Sequence, residues 1–122
     1  MRTHHVEMSK FTVDPPGFVD VTDDLSAALE ESGIADGQVT VFAPDTSCSI
    51  VVNELESGLL EDVRSALDRM RKHDGIAPVI GSASTVLPAA GGRLRLGTWQ
   101  RVLLVELEKA CDRQLVIRIL GE

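Results

Sequence analysis

Apolar residues at Leu55, Leu59, Leu60, Val63, Ala66, Leu67 and Met70 recur in steps of three and four, and this spacing predicts an amphipathic helix. Glu56, Glu61, Asp62, Arg64, Asp68 and Arg69 fall mostly elsewhere around the same turns, as a solvent face requires. A first helix is predicted from Asp23 to Ser32. Its first turn is acidic, which suits the positive end of the helix dipole, and Leu25, Ala28, Leu29 and Ser32 repeat at helical spacing until Gly33.

The other apolar stretches follow a period of two or run continuously, which predicts strands. They are Val6 to Val13, a short strand from Gly17 to Asp20 after the Pro15-Pro16-Gly17 turn, Gln38 to Phe42 after Asp36-Gly37, and Cys48 to Val52 after a polar loop at Pro44 to Ser47. Further strands are predicted at Ser84 to Leu87, Arg93 to Leu96, Trp99 to Glu108 and Leu115 to Leu120, with Gly91-Gly92 and Gly97-Thr98 as breaks. Between Arg71 and Ala83 the periodicity disappears, so an irregular connection is expected there, and with it any flexible site element. The order is ββαββα followed by several strands. Connections of this length cannot make parallel crossovers, so the fold expected is α+β, a mixed sheet with two helices packed on it.

At 122 residues the chain matches one domain, residues 1–122, with no repeat or low-complexity tract. Its formal charge of -7, without a lysine and arginine cluster, argues against a nucleic-acid partner. The polar N-terminus lacks the apolar core of a secretory signal, and no stretch approaches the roughly 20 apolar residues that span a bilayer. Cys48 and Cys111 lie in apolar stretches without CxxC spacing, which predicts two buried reduced thiols and a cytoplasmic setting.

Six fragments, taken in order, resemble the YjbQ-like family, also called the secondary thiamine-phosphate synthase family. They are Gly17-Phe18-Val19-Asp20-Val21-Thr22, Asp36-Gly37-Gln38-Val39-Thr40-Val41-Phe42, Pro44-Asp45-Thr46-Ser47-Cys48, Asn53-Glu54, Leu96-Gly97-Thr98-Trp99-Gln100 and Leu120-Gly121-Glu122. The resemblance implies a strongly bent sheet, a homotrimer, and a site that draws histidines from three places to hold a divalent metal, with a phosphorylated small molecule as substrate. This chain departs from that pattern at the site. Asp45 stands where the family writes histidine in Pro-His-Thr-Ser, and the connection after the second helix is too short for the other two histidine elements.

The candidate residues follow from that comparison. Asp45 and His73, with Glu54, form the proposable metal set, and zinc needs three such ligands plus an open position. Carboxylates in place of imidazole would instead suit magnesium. Thr46, Ser47, Asn53 and Arg113 are candidates for ligand binding, Arg113 because the family carries Pro-Arg in the last hairpin. Glu54 and Gln100 are candidates for catalysis. For Asn53-Glu54 a second reading stands beside the first, in which Asn53 caps the helix and Glu54 complements its dipole.

The simpler roles for the remaining residues are structural. Cys48 reads as a small core residue, His4 and His5 as terminal surface residues on opposite strand faces, and Trp99 as core or subunit-interface packing, with Gln100 on the face opposite it. Two functions compete. One is a non-catalytic or ligand-binding trimeric module whose metal and phosphate site has degenerated. The other is a thiamine-phosphate synthase-like enzyme with an altered metal site.

Overall fold

The computed structural model describes residues 1–71 and 81–122. Ten elements follow one another: β1 (Arg2–Phe11), β2 (Gly17–Asp20), α1 (Thr22–Ser32), β3 (Gly37–Phe42), β4 (Cys48–Glu54), α2 (Ser57–Arg71), β5 (Ser84–Ala90), β6 (Arg93–Leu94), β7 (Gln100–Glu106) and β8 (Asp112–Gly121). The strands form a strongly curled sheet in two hydrogen-bonded sections, β1-β8-β3-β5-β6 and β2-β7-β4. Every ladder between these strands is antiparallel, so the expected mixed sheet resolves into an antiparallel one.

Alternation along β8 decides where the core lies. Leu115, Ile117 and Ile119 point inward and are fully buried, while Gln114 and Arg118 are exposed on the other face. Val39 and Val41 on β3 and Val102 and Leu104 on β7 complete the same apolar cluster, which α1 closes with Leu25, Ala28 and Leu29. The other face of β7 is buried too. Val105 and the following Leu107 pack with Leu67 of α2, and Phe18, Val51 and Val63 flank them.

Several element boundaries differ from the sequence expectation, two of them for reasons that bear on the candidate residues. β1 starts at Arg2, not Val6, because it pairs with β8 along all ten residues. Its polar beginning gains a long-range contact, since the Arg2 guanidinium donates to the Ser32 and Gly33 carbonyls at the C-terminal end of α1. α2 begins at Ser57, and its cap is Glu56, whose carboxylate accepts the Gly58 and Leu59 amides at 2.9 and 2.6 Å. Asn53 therefore does not cap this helix. It is still in β4, and its side-chain oxygen accepts the Glu54 amide.

The entry to α1 is held from two sides. The Asp20 carboxylate accepts the Thr22 amide at 2.9 Å and the Arg101 Nε at 2.6 Å, and the Thr22 hydroxyl accepts the Val102 amide at 2.7 Å. Asp20→Ala removes the first two bonds together, so we expect it to lower stability by about 1–2 kcal/mol, read by thermal unfolding. An unchanged midpoint would assign no role to this clasp.

Candidate functional site

The strongest polar feature of the molecule is a buried ion pair where β7, β8 and the loop before β4 meet. Glu106, at the end of β7, is fully buried, and Arg113, on β8, is 9% exposed. Arg113 grips the carboxylate with two parallel bonds, Nε to Oε1 at 2.7 Å and Nη2 to Oε2 at 3.0 Å. The Thr12 hydroxyl donates to Oε1 at 2.7 Å, and the Glu108 amide donates to Oε2 at 3.1 Å. The buried Ser47 hydroxyl joins both partners, accepting from Arg113 at 2.9 Å and lying 3.4 Å from the Glu106 carboxylate.

Burial pushes the Glu106 carboxyl up, but hydrogen bonds from Arg113, Thr12 and Glu108, with the Arg113 charge, outweigh it and hold the group down to about 2. Hydrogen bonding to Glu106 likewise raises Arg113 against the opposing effect of its own burial. The pair is ionised on both sides throughout the neutral range.

Asp45 sits at the edge of this network. Its carboxylate lies 3.6 Å from Arg113 Nη1 and accepts the Gln114 amide at 3.4 Å. Glu108 approaches the same guanidinium at 3.6 Å. Three carboxylates thus surround one arginine, and a guanidinium so engaged has little left to offer a phosphate. Asp45 and the exposed Thr46 border an open cleft of about 500 Å³ together with Phe42, Ser82 and Ala83.

The other candidates lie elsewhere. Glu54 and Gln100 are register partners across β4 and β7, so they are neighbours, but they sit at the opposite end of β4 from Asp45. Six strand steps separate Cys48 from Glu54, a span of about 20 Å, so Asp45 and Glu54 of one chain cannot share an ion. The Gln100 side-chain oxygen accepts the Gly97 amide at 2.7 Å, closing the turn before β7. His73 lies outside the described residues. Among the described residues, no three His, Cys, Asp or Glu side chains come together in a way that could hold a metal. The donor set of the described residues therefore does not fit zinc.

The remaining residues also find definite places. Cys48 is 7% exposed within the main core, where burial and the Glu106 charge push its thiol up to about 11, so it is no nucleophile at neutral pH. Cys111 is half-buried, and both cysteines are free. Trp99 is 71% exposed in the turn before β7, which excludes core packing within the chain. His5 is exposed and 3.3 Å from Arg118 Nε, whereas His4 is half-buried with an unpartnered Nε2, so only His5 is a surface residue. Glu106 and Thr12 were not among the sequence candidates. The available signal was one carboxylate inside the apolar run Val102-Leu103-Leu104-Val105-Glu106-Leu107, a position that demands a partner.

Comparison with known proteins places this architecture. The family model of the UPF0047 protein YjbQ-like family matches residues 7–122. The chain belongs to the YjbQ-like family. It is 32% identical to a UPF0047 protein of Archaeoglobus fulgidus, over 94% of this chain and all of that one. A UPF0047 protein of Methanothermobacter thermautotrophicus is 33% identical, over 85% of this chain and 82% of its own. Among solved structures, a hypothetical protein of Aeropyrum pernix superposes with a TM-score of 0.88 at 31% identity, covering 100% of both chains. A protein of unknown function from Sulfolobus solfataricus gives 0.88 at 29% identity, covering 99% of both. Membership of the YjbQ-like family accounts for the curled sheet and the two helices. No helix among the described residues is long and apolar enough to cross a membrane.

Proposed function

We propose that this YjbQ-like protein is a non-catalytic, ligand-binding module that works as a homotrimer in a reducing, cytoplasmic setting. The observation that carries the reading is the commitment of Arg113 to Glu106 at 2.7 Å and, at 3.6 Å, to Asp45. At the position of the family's loop histidine, the side chain serves a structural charge network. The guanidinium that would neutralise a phosphate is already neutralised. The trimer draws support from Trp99 and Leu55, which are 71% and 52% exposed and border one surface hollow, since large exposed apolar groups of this kind anchor subunit contacts. The two free cysteines suit a reducing compartment.

Metal content by mass spectrometry, with zinc and magnesium titrations and an Asp45→His variant alongside, tests the reading. The purified protein is expected to hold well under one ion per chain, and Asp45→His alone is expected to gain no tight site, because one imidazole is far from a complete ligand set. About one tightly held ion per chain in the unmodified protein would overturn the module and favour the alternative, a thiamine-phosphate synthase-like enzyme with altered ligands. Sedimentation velocity reads the trimer in the same preparation.

A further inference from the structure

β1 is an edge strand, and its ten residues pair on one side only. Hydrogen-bond parity shows which of its main-chain groups are left over. Thr12 donates its amide to the Cys111 carbonyl at 2.9 Å, next to the Phe11–Asp112 register pair, and Glu122 exchanges main-chain bonds with Asp36 on the β3 side. Odd-numbered residues of β8 therefore bond to β1 and even-numbered ones to β3. On β1 the even-numbered residues are committed to β8, while Thr3, His5, Glu7, Ser9 and Phe11 hold their N–H and C=O groups outward. All five are exposed, and among the described residues no strand pairs with them on that side. Such a row of unpaired groups is a template for another strand. Inward-pointing charges guard many edges, but here Lys10 is bound to Asp24 at 2.7 Å and Arg2 to the Ser32 and Gly33 carbonyls.

Charge selects the occupant. Arg118 lies beside this edge, its Nε donating to His5 Nδ1 at 3.3 Å, and among the described residues it has no carboxylate partner. The Glu7 carboxylate is 64% exposed and stands 3.7 Å from His5 Nε2. A second copy running antiparallel must set odd-numbered residues against odd-numbered ones. Centring the pairing on His5 leaves Glu7 opposite Thr3, and centring it on Glu7 sets two like carboxylates face to face. Centring it on Val6 sets Glu7 of each copy opposite the His5 that Arg118 flanks, and Thr3 opposite Ser9. The like-charged pair in this register, Arg2 with Lys10, falls between groups already bound within their own chains.

The geometry points to a two-fold contact between two copies of this chain, in which the β1 edges pair about Val6 and the five-stranded section continues from one copy into the other. Each odd-numbered pair exchanges both of its main-chain bonds. The contact closes on itself, so it joins trimers in pairs, and it does not depend on the trimer.

Sedimentation velocity of the full chain at micromolar concentration, together with amide hydrogen exchange, tests it. An assembly of six copies is expected, with slow exchange at the His5 and Glu7 amides that is lost on dilution. Two copies with the same protection would support the contact and sink the trimer. One or three copies would overturn the contact, as would an even-numbered assembly in which those two amides exchange freely. Glu7→Pro removes an outward N–H and leaves the β1–β8 bonds in place, so it is expected to halve the assembly. Glu7→Arg, which sets a guanidinium against Arg118 of the other copy, is expected to weaken the pairing at least tenfold, and Arg118→Glu added to it is expected to restore the pairing. An unchanged assembly in Glu7→Arg would overturn the inference.

Discussion

Replacing Arg113 with alanine is expected to destabilise the protein by about 3–5 kcal/mol, a large share of the roughly 5–15 kcal/mol that holds a small domain together. The reason is the residue left behind. Glu106 has no exposed surface, so without the guanidinium its charge is stranded away from water with only the Thr12 hydroxyl, the Glu108 amide and the distant Ser47 hydroxyl around it. Equilibrium unfolding in urea measures the loss. A cost below about 1 kcal/mol would mean that water reaches Glu106 and that the network is not structural. Replacing both partners with apolar side chains, Glu106→Leu with Arg113→Met, is expected to recover most of the loss, because no uncompensated charge remains.

The same pair fixes a pH dependence. The Glu106 carboxyl is held down to about 2 in the folded protein, below its ordinary value near 4.5. Between those values the unfolded chain binds the proton and the folded chain does not, so stability falls with falling pH. The contribution is therefore fully present above about pH 4.5 and lost as the pH drops toward 2. Glu106→Gln is expected to flatten the stability profile in that window while lowering stability at neutral pH.

How far the sequence discloses this protein depends on the distance over which each feature is assembled. α2 is legible because its apolar stripe from Leu59 to Leu67 is written within one segment. The beginning of β1 is not, since Arg2 to His5 are polar and become strand only by pairing with Gly121 to Arg118 at the other end of the chain. The site divides in the same way. Asp45, Ser47 and Arg113 are recoverable from a resemblance, and the structure does bring them together. Thr12 and Glu106 complete their network across 94 residues of sequence, and no local pattern marks that meeting. Asn53 suits a cap by residue type, one of the two readings its sequence position allows, yet the β4 ladder continues through Glu54 and overrides that local preference.

The family fragments that survive in this chain share a physical role, and one of them carries the second large prediction. Asp20 and Thr22 clasp the start of α1, and Gln100 closes the turn before β7. Asp36-Gly37 and Gly121-Glu122 lock one end of the β3–β8 ladder. Glu122 accepts the Ala35 and Asp36 amides at 2.9 and 3.2 Å and returns its own amide to Asp36 at 2.9 Å. Gly37 faces Gly121 across the ladder, and a Cβ at Gly37 would overlap the Leu120 carbonyl oxygen and lie 2.8 Å from the Gly121 Cα. Both obstacles are backbone, so neither can swing aside.

Gly37→Ala is therefore expected to cost about 3 kcal/mol and to loosen the β3–β8 pairing, read as a lower urea midpoint and faster hydrogen exchange at Val39 and Ile119. Gly91→Ala provides the contrast, since a Cβ there meets nothing within 4 Å and only its φ of +61° is strained, a cost of about 1 kcal/mol. If Gly37→Ala costs no more than Gly91→Ala, the sheet relaxes around the new Cβ, and the close approach at Gly37 has no energetic consequence. If Gly37→Ala costs more, retention of this fragment reports how the sheet is closed, and its presence carries no information about catalysis.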